Sequence, residues 1–245
     1  GDMVGRPGRE RLKARLRAIR QAFSWGMVSA NGENAAGGIG LPAPVVRELF
    51  EAGVDVVSSG NHIWRHADIY SVLDKDERLI RPANMPDGAP GKGYTITSVP
   101  VRGGGETSVA VINLIGRTFM EPVDCPFKAA GEILASIPEH VRLRIVDFHA
   151  EATSEKRALL FHLDGGVTAL AGTHTHVQTA DATVTEKGTA YLTDLGMCGN
   201  ESGSILGMEP KNVLARFTTA LPTLFTPAPG RGLLNGLLLE ADPAT

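Results

Sequence analysis

Cysteines and aromatic residues are scarce in this sequence. Of its 245 residues only Cys125 and Cys198 are cysteines, and 5% are aromatic. Two thiols without CxxC spacing can build neither a disulfide framework nor a thiolate-rich zinc site. We therefore interpret both cysteines as packing residues and predict a reducing, cytoplasmic location.

Long apolar runs and an excess of one charge are also missing. No apolar stretch reaches the roughly 18 uncharged residues that a bilayer-spanning helix needs, and no signal-peptide pattern opens the sequence. The formal net charge is -3. Basic residues are concentrated only in 9–20, where their helical spacing indicates a solvated helix face. The sequence thus predicts neither a membrane segment nor a broad nucleic-acid-binding patch.

What the sequence does contain is a regular alternation of helical and strand-like segments. Helical spacing of apolar residues predicts helices at 9–23, 42–52, 66–73, 127–137, 154–163 and 210–221. Short apolar runs predict strands at 27–30, 54–57, 94–99, 108–114, 143–148, 167–172, 182–185, 189–193 and 233–240. This alternation, with a few antiparallel pairs, is typical of an α/β layered fold with a mixed sheet, and we expect one domain over 1–245. Residues 1–5 look like the end of a strand and its turn, and we predict that the N-terminal strand itself is missing.

His174 and His176 follow the apolar run 167–172, where a buried strand gives way to a loop. Residues two apart point to the same side of extended backbone, so both imidazoles can reach one polar pocket. The alternative is a surface loop with two solvated histidines, since an isolated His-x-His is a weak motif.

The same kind of position recurs along the chain. Carboxylate, amide and imidazole side chains stand at or just past successive predicted strand ends: Asp2, Glu33, Asn34, Asn61, His62, His149, His174 and His176. Carboxyl ends of parallel strands lie along one sheet edge, so these separated segments can converge on one crevice. Singly, each residue could be a turn, cap or core residue; together they predict a site.

The predicted ligand set is rich in oxygen and imidazole and contains no thiolate. Such a set suits Fe or Mn, with Mg or Zn as further options. It also offers more ligands than one ion needs. Two ions about 3.5–4 Å apart, sharing a bridging carboxylate, are the arrangement used for in-line attack at phosphorus.

Several motifs, in this order, resemble those of the calcineurin-like metallophosphoesterases, and more narrowly the bacterial YmdB family. They are Gly1-Asp2, 31–34 (NGEN), 60–62 (GNH), 81–84 (RPAN), 116–119 (GRTF), 147–151 (DFHAE), 150–156 (AEATSEK) and 172–176 (GTHTH). The resemblance covers nearly the whole chain. It implies a four-layer α-β-β-α sandwich of two mixed sheets, a dinuclear metal centre, and phosphodiesterase activity on 2′,3′- or 3′,5′-cyclic nucleotides.

The resemblance also implies a role for each matching residue. Glu33 would bridge the ions; Asp2, Asn34 and His176 would complete one ion, and Asn61, His149 and His174 the other. The ions would convert a shared water to hydroxide. His62 directly follows a ligand without being needed as one, so it can donate a proton to the leaving oxygen. Asp147, two residues before His149 on the same strand face, could orient that imidazole, and a hydrogen bond at the edge of the core is the alternative.

Other roles remain open. Arg117, Asn84 and Thr118 lie on loops that could reach a phosphate, although a loop arginine is more often an ion-pair partner, and we leave substrate-binding residues unassigned. A metal-dependent hydrolase for another bond is one alternative. Such an enzyme would carry its His-x-His early in the chain or extended by Asp-His, whereas here the motif lies late, at 174–176. A binding or regulatory protein with weak or vestigial hydrolase activity is the main alternative. A homo-oligomer is possible both for the phosphodiesterase and for the regulatory protein.

Overall fold

The computed structural model describes residues 1–244, and within them helices and strands alternate as predicted. The helices are α1 Gly5–Phe23, α2 Ala43–Ala52, α3 Tyr70–Lys75, α4 Pro126–Ser136, α5 Thr153–Leu163 and α6 Pro210–Thr219. The strands are β1 Asp2–Met3, β2 Ser29–Asn31, β3 Val56–Ser58, β4 Tyr94–Pro100, β5 Glu106–Ile115, β6 Leu143–His149, β7 Ala169–Thr173, β8 Thr183–Val184, β9 Ala190–Leu192 and β10 Met197–Cys198. None of the described helices combines the length and the apolar character that crossing a membrane requires.

The strands form two sheets. One has four strands in the order β10-β1-β2-β3, and every neighbouring pair in it is parallel. The other has six strands in the order β4-β5-β6-β7-β9-β8, with antiparallel pairs at its two edges and parallel pairs between them. The six-stranded sheet is therefore mixed as predicted, whereas the four-stranded sheet is parallel.

Three apolar clusters show how the layers stack. One packs α1, α2 and α3 on the four-stranded sheet, through residues such as Leu12, Leu49 and Val57. Another packs α4 and α5 on the six-stranded sheet. Between the sheets lies a third cluster, which joins Val56 of β3 to Val109 and Val111 of β5. The order helix, sheet, sheet, helix confirms the α-β-β-α sandwich.

The predicted strand at 233–240 is wrong, because this segment has no regular secondary structure. Its backbone groups bond to isolated partners instead of to a ladder. The amide of Leu233 donates to the carbonyl of Gly199 (2.8 Å). The carbonyl of Asn235 accepts from the Cys198 thiol (3.2 Å) and from the amino group of Gly1 (3.2 Å). An apolar run alone does not make a strand when no strand edge is aligned with it.

The first strand also differs from expectation. Asp2 and Met3 themselves form a short strand between β10 and β2, so Asp2 lies within a strand and not beyond one. Its partner β10 was not predicted, since two residues are too few to show a pattern. Pairing on both sides leaves Asp2 fully buried.

Candidate functional site

The site lies at the carboxyl-end edge that the two sheets share. Glu33 and Asn61 follow the parallel strands β2 and β3, which are in register with Asn31 opposite Ser58. His149 ends β6 opposite Thr173, the last residue of β7. Parallel pairing therefore brings loops that are distant in sequence to one place.

Glu33 is at the centre of the cluster. Its Oε1 lies 3.0 Å from Nε2 of His149, 3.2 Å from Nδ2 of Asn34 and 3.4 Å from Nδ1 of His62. Its Oε2 accepts the backbone amide of His62 at 3.1 Å. The carboxylate is 1% exposed, so these groups replace its hydration shell.

The Nε2 of His149 is a second point of convergence. It lies 3.2 Å from Oδ1 of Asn61 and 3.0 Å from Nδ1 of His174. One ligand atom from each of Glu33, His149 and His174 falls within 4.8 Å of the others, which is close enough for a single metal ion to contact all three.

Asp2 contacts the cluster from the four-stranded sheet. Its Oδ2 accepts the backbone amide of His174 at 3.1 Å, and its Oδ1 lies 3.7 Å from Nδ1 of His149. Within residues 1–244 this buried Oδ1 has no hydrogen-bond partner. A buried carboxylate oxygen without a donor is costly unless a cation faces it.

Asn34, His62 and His176 form the outer part of the cluster. The amide of Asn34 lies 3.1 Å from Nε2 of His176, and its Oδ1 lies 3.1 Å from Nδ1 of His62. The side chain of His62 is 35% exposed, in contrast to the buried Glu33. The structure thus brings together all eight site residues predicted from the sequence.

Each histidine of the predicted ligand set directs one ring nitrogen into the cluster and the other to an outer partner. Such partners fix ring orientation and are usual around metal-ligating histidines. They are Thr173 Oγ1 for His149 (3.0 Å), Glu151 Oε2 for His174 (3.2 Å) and the Leu206 carbonyl for His176 (3.1 Å).

Asp147 reaches His149 through Thr173. The Thr173 hydroxyl donates to Oδ1 of Asp147 at 2.7 Å and lies beside the His149 ring, so the carboxylate orients the ring through one hydroxyl. Asp147 also accepts from Ser58 Oγ and from Nδ2 of Asn31. Sequence spacing identified the strand face but not the intervening threonine.

The backbone around the histidines is strained. His174 has a φ of 100° and His176 a φ of 64°, in the left-handed region that residues with a Cβ rarely adopt. Across the cluster, a Cβ on Gly60 would lie 2.2 Å from Glu33 Oε2 and 2.4 Å from the His149 ring. Only glycine lets the β3 loop approach this closely.

Charge interactions within the cluster are strong. Burial lowers the pKa of His149, but the carboxylates of Glu33, Asp2 and Asp147 together outweigh it and raise that pKa to about 9. Burial and the charge of His149 lower the pKa of His174 to about 3. Burial raises the pKa of Asp2, whereas His149 and His62 overcome the burial of Glu33 and hold its pKa well below the usual range. A cation is therefore favoured beside Glu33, and a metal ion binding there would displace the His149 proton.

The residues present fit a metal centre. The donors are carboxylate oxygens, amide oxygens and imidazole nitrogens, which suit first-row divalent metals. The orphaned Oδ1 of Asp2 and the outer partner of each histidine are what such a centre requires.

The three loop residues considered for phosphate contact make other hydrogen bonds. Asn84 is buried and donates to the carbonyls of Ile115 (2.8 Å) and Asp124 (2.9 Å), so it ties the end of β5 to the loop before α4. The backbone amides of Arg117 and Thr118 donate to the Glu155 carboxylate. The Arg117 side chain is exposed.

Comparison with known proteins identifies the family. The family model of the YmdB-like proteins matches residues 1–245. A protein of Bacillus subtilis (strain 168) named 2′,3′-cyclic-nucleotide 2′-phosphodiesterase is 44% identical over 245 residues, covering 100% of this chain and 90% of that protein.

Solved structures agree with this result. A crystal structure described as a novel phosphatase of Mycoplasma pneumoniae superposes with a TM-score of 0.85 at 35% identity, covering 93% of this chain and 81% of that one. A calcineurin-like phosphoesterase of Bacillus subtilis shares the fold, with a TM-score of 0.51 at 13% identity over 74% of this chain and 71% of that one. The resemblance found in the sequence is confirmed: this chain belongs to the YmdB-like protein family.

Proposed function

We propose that this protein is a metal-dependent phosphodiesterase that holds two metal ions and hydrolyses cyclic nucleotides. The observation that carries the proposal is the position of the Glu33 carboxylate. Its Oε1 contacts both Nε2 of His149 at 3.0 Å and Nδ2 of Asn34 at 3.2 Å. A carboxylate oxygen that touches a member of each proposed ligand set is placed to be shared by two cations.

The ligand groups follow from these contacts. Asn61 and His174 both lie against Nε2 of His149, which supports one ion held by these three and Glu33. His176 lies against Asn34, which itself contacts Glu33. We therefore assign the second ion to Asn34 and His176 together with Glu33, and we add Asp2 because the sequence resemblance implies it.

Metal ions held here supply a nucleophile at neutral pH and Lewis acidity toward the phosphoryl oxygens. The chain supplies orientation and a proton. Glu33 fixes His62 through its backbone amide (3.1 Å), and Asn34 fixes the ring through Nδ1 (3.1 Å). Within residues 1–244 no hydrogen bond occupies Nε2 of His62. We assign His62 as the general acid that protonates the leaving oxygen.

The substrate class rests on the relative from Bacillus subtilis, whose name states a 2′,3′-cyclic-nucleotide activity. A 2′,3′-cyclic nucleotide is the first substrate to test, and a 3′,5′-cyclic nucleotide the second. Because the donors include no thiolate, we propose Fe or Mn before Mg or Zn. A single domain, a cytoplasmic location and homo-oligomerisation stay predictions.

The test combines metal content with turnover. We expect about two ions per chain after reconstitution with Mn or Fe, and cleavage of an aryl phosphodiester and of 2′,3′-cyclic nucleotides that chelator abolishes and metal restores. One tightly bound zinc ion and no other metal would refute the dinuclear centre. Full metal occupancy without any diester turnover would favour a regulatory protein.

A further inference from the structure

A buried ion pair beside the site has no role in the proposed chemistry. Lys156 on α5 and Asp194 after β9 are both 0% exposed, and Nζ lies 2.7 Å from Oδ2. Removing two charges from water carries a large desolvation cost, and well-packed apolar residues of similar volume often stabilise a protein as much. The pair therefore contributes little to the net stability of the fold. Its hydrogen bonds indicate a different role.

The Asp194 carboxylate holds the backbone of the histidine loop. Its Oδ2 accepts the amide of Thr175 at 3.1 Å, and its Oδ1 accepts the amide of Gly196 at 2.8 Å. Thr175 is the residue between His174 and His176. Hydrogen bonds from amides to an ionised carboxylate are shorter and stronger than those to neutral acceptors.

This loop needs external support because its conformation is strained. His174 and His176, on either side of Thr175, have φ values of 100° and 64°. Strained backbone persists only where surrounding contacts over-determine it. Asp2 holds the amide of His174, and Asp194 holds the next amide along the chain.

We infer that Asp194 is a positioning residue for the metal centre, with Lys156 as its counter-ion. The carboxylate fixes the Thr175 amide and thereby sets the angle between two imidazoles that approach the centre from a single loop. Lys156 supplies the opposite charge beside that buried carboxylate, with Nζ 2.7 Å from Oδ2. The inference rests on the proposed metal centre, and it assigns a task to the lysine of the motif at 150–156.

Two variants test the inference. Asp194→Asn removes the charge and leaves one good acceptor for two amides. The double variant Lys156→Met/Asp194→Asn removes both charges, so it buries no unpaired ion and should fold even if the single variant does not. Asp55→Asn is the matched control. Asp55 accepts the Val28 amide (2.7 Å) and pairs with Arg20 (2.9 Å), but it precedes β3, at the opposite end of that strand from the site.

Mn²⁺ affinity, melting temperature and amide hydrogen exchange are the measurements. We expect both Asp194 variants to lose about 10–100-fold in Mn²⁺ affinity, the range for outer partners of ligands. The Thr175 amide of the metal-free protein should exchange faster. Asp55→Asn should keep wild-type Mn²⁺ affinity and slow exchange at Thr175, even if its melting temperature falls.

The outcomes separate the two proposals. Wild-type Mn²⁺ affinity and slow Thr175 exchange in a folded double variant would overturn the role of Asp194 and leave the metal centre intact. Wild-type protein that binds no Mn²⁺ would refute the proposed function, whatever the exchange data show. Wild-type protein that binds Mn²⁺, with weaker binding and faster exchange in both Asp194 variants, would support both.

Discussion

The layer between the two sheets is apolar at one end and polar at the other. On β5 the inward face passes from Val109 and Val111 to Asn113, and on β6 it passes from Ile145 to Asp147. These residues follow the same period of two along the same strands. Only the residue type changes, and that change divides the layer into an apolar end and a site end.

The difference shows what each end needs. The apolar end requires only matching volume, because dispersion and water exclusion have no direction. The site end must satisfy every polar group. Asp147 accepts three hydrogen bonds there, from Asn31, Ser58 and Thr173. Buried networks of this kind specify one arrangement and fail when a member is lost.

The largest effect is expected where Glu33 is removed from the site end. Glu33→Ala should lose one or both metal ions and all detectable turnover, since the proposed bridging group is gone. Metal analysis and diester hydrolysis provide the measurement. Glu48→Ala is the matched control, because Glu48 is a helix-surface carboxylate paired with Arg9. A Glu33→Ala protein with two ions and wild-type turnover would contradict the bridging role.

The next effect distinguishes a catalyst from a ligand within the site end. His62→Ala should keep both ions and lose about 10²–10⁴-fold in turnover of an unactivated diester, the range for one positioned proton donor. The loss should be smaller with a nitrophenyl ester, whose leaving group needs little help from a proton. Loss of metal would place His62 among the ligands. Full activity on the unactivated diester would show that the proton comes from elsewhere.

The smallest effects compare the two ends directly. Asp147→Asn should weaken metal binding about 10–100-fold, because Thr173 loses the carboxylate that orients it toward His149. Val111→Ala, on the inward face of the neighbouring strand, should lower the free energy of unfolding by about 2 kcal/mol and leave metal affinity unchanged. Denaturant unfolding and metal titration of both variants test this contrast. Equal losses of metal affinity would mean that the two ends are not separate.

Much of the fold was accessible from the sequence. Helices and most strands appeared as periodic patterns, and the His-x-His after β7 identified the sheet edge that carries the site. The segment at 233–240 was predicted wrongly, because an apolar run does not reveal whether a strand edge is available. β10 was missed, since two residues show no period.

The outer residues of the site were harder to find. Thr173 is the last residue of β7, directly before His174, and its contact with Asp147 joins two strands. Asp194 follows β9 just as Glu33 follows β2, so the strand-end pattern could have included it. Its lysine partner, 38 residues earlier on α5, could not be paired with it from spacing.

The sequence by itself determined the donor chemistry, the order of the elements and the family, because residue type and local period are properties of neighbours in the chain. The tertiary structure decided the rest. Pairing between strands distant in sequence decides three details of the site. It decides which imidazole nitrogen faces Glu33, which carboxylate oxygen of Asp2 lacks a donor, and which buried ion pair holds Thr175. Hydrogen bonds require distance and direction between such segments, and only the folded chain sets both.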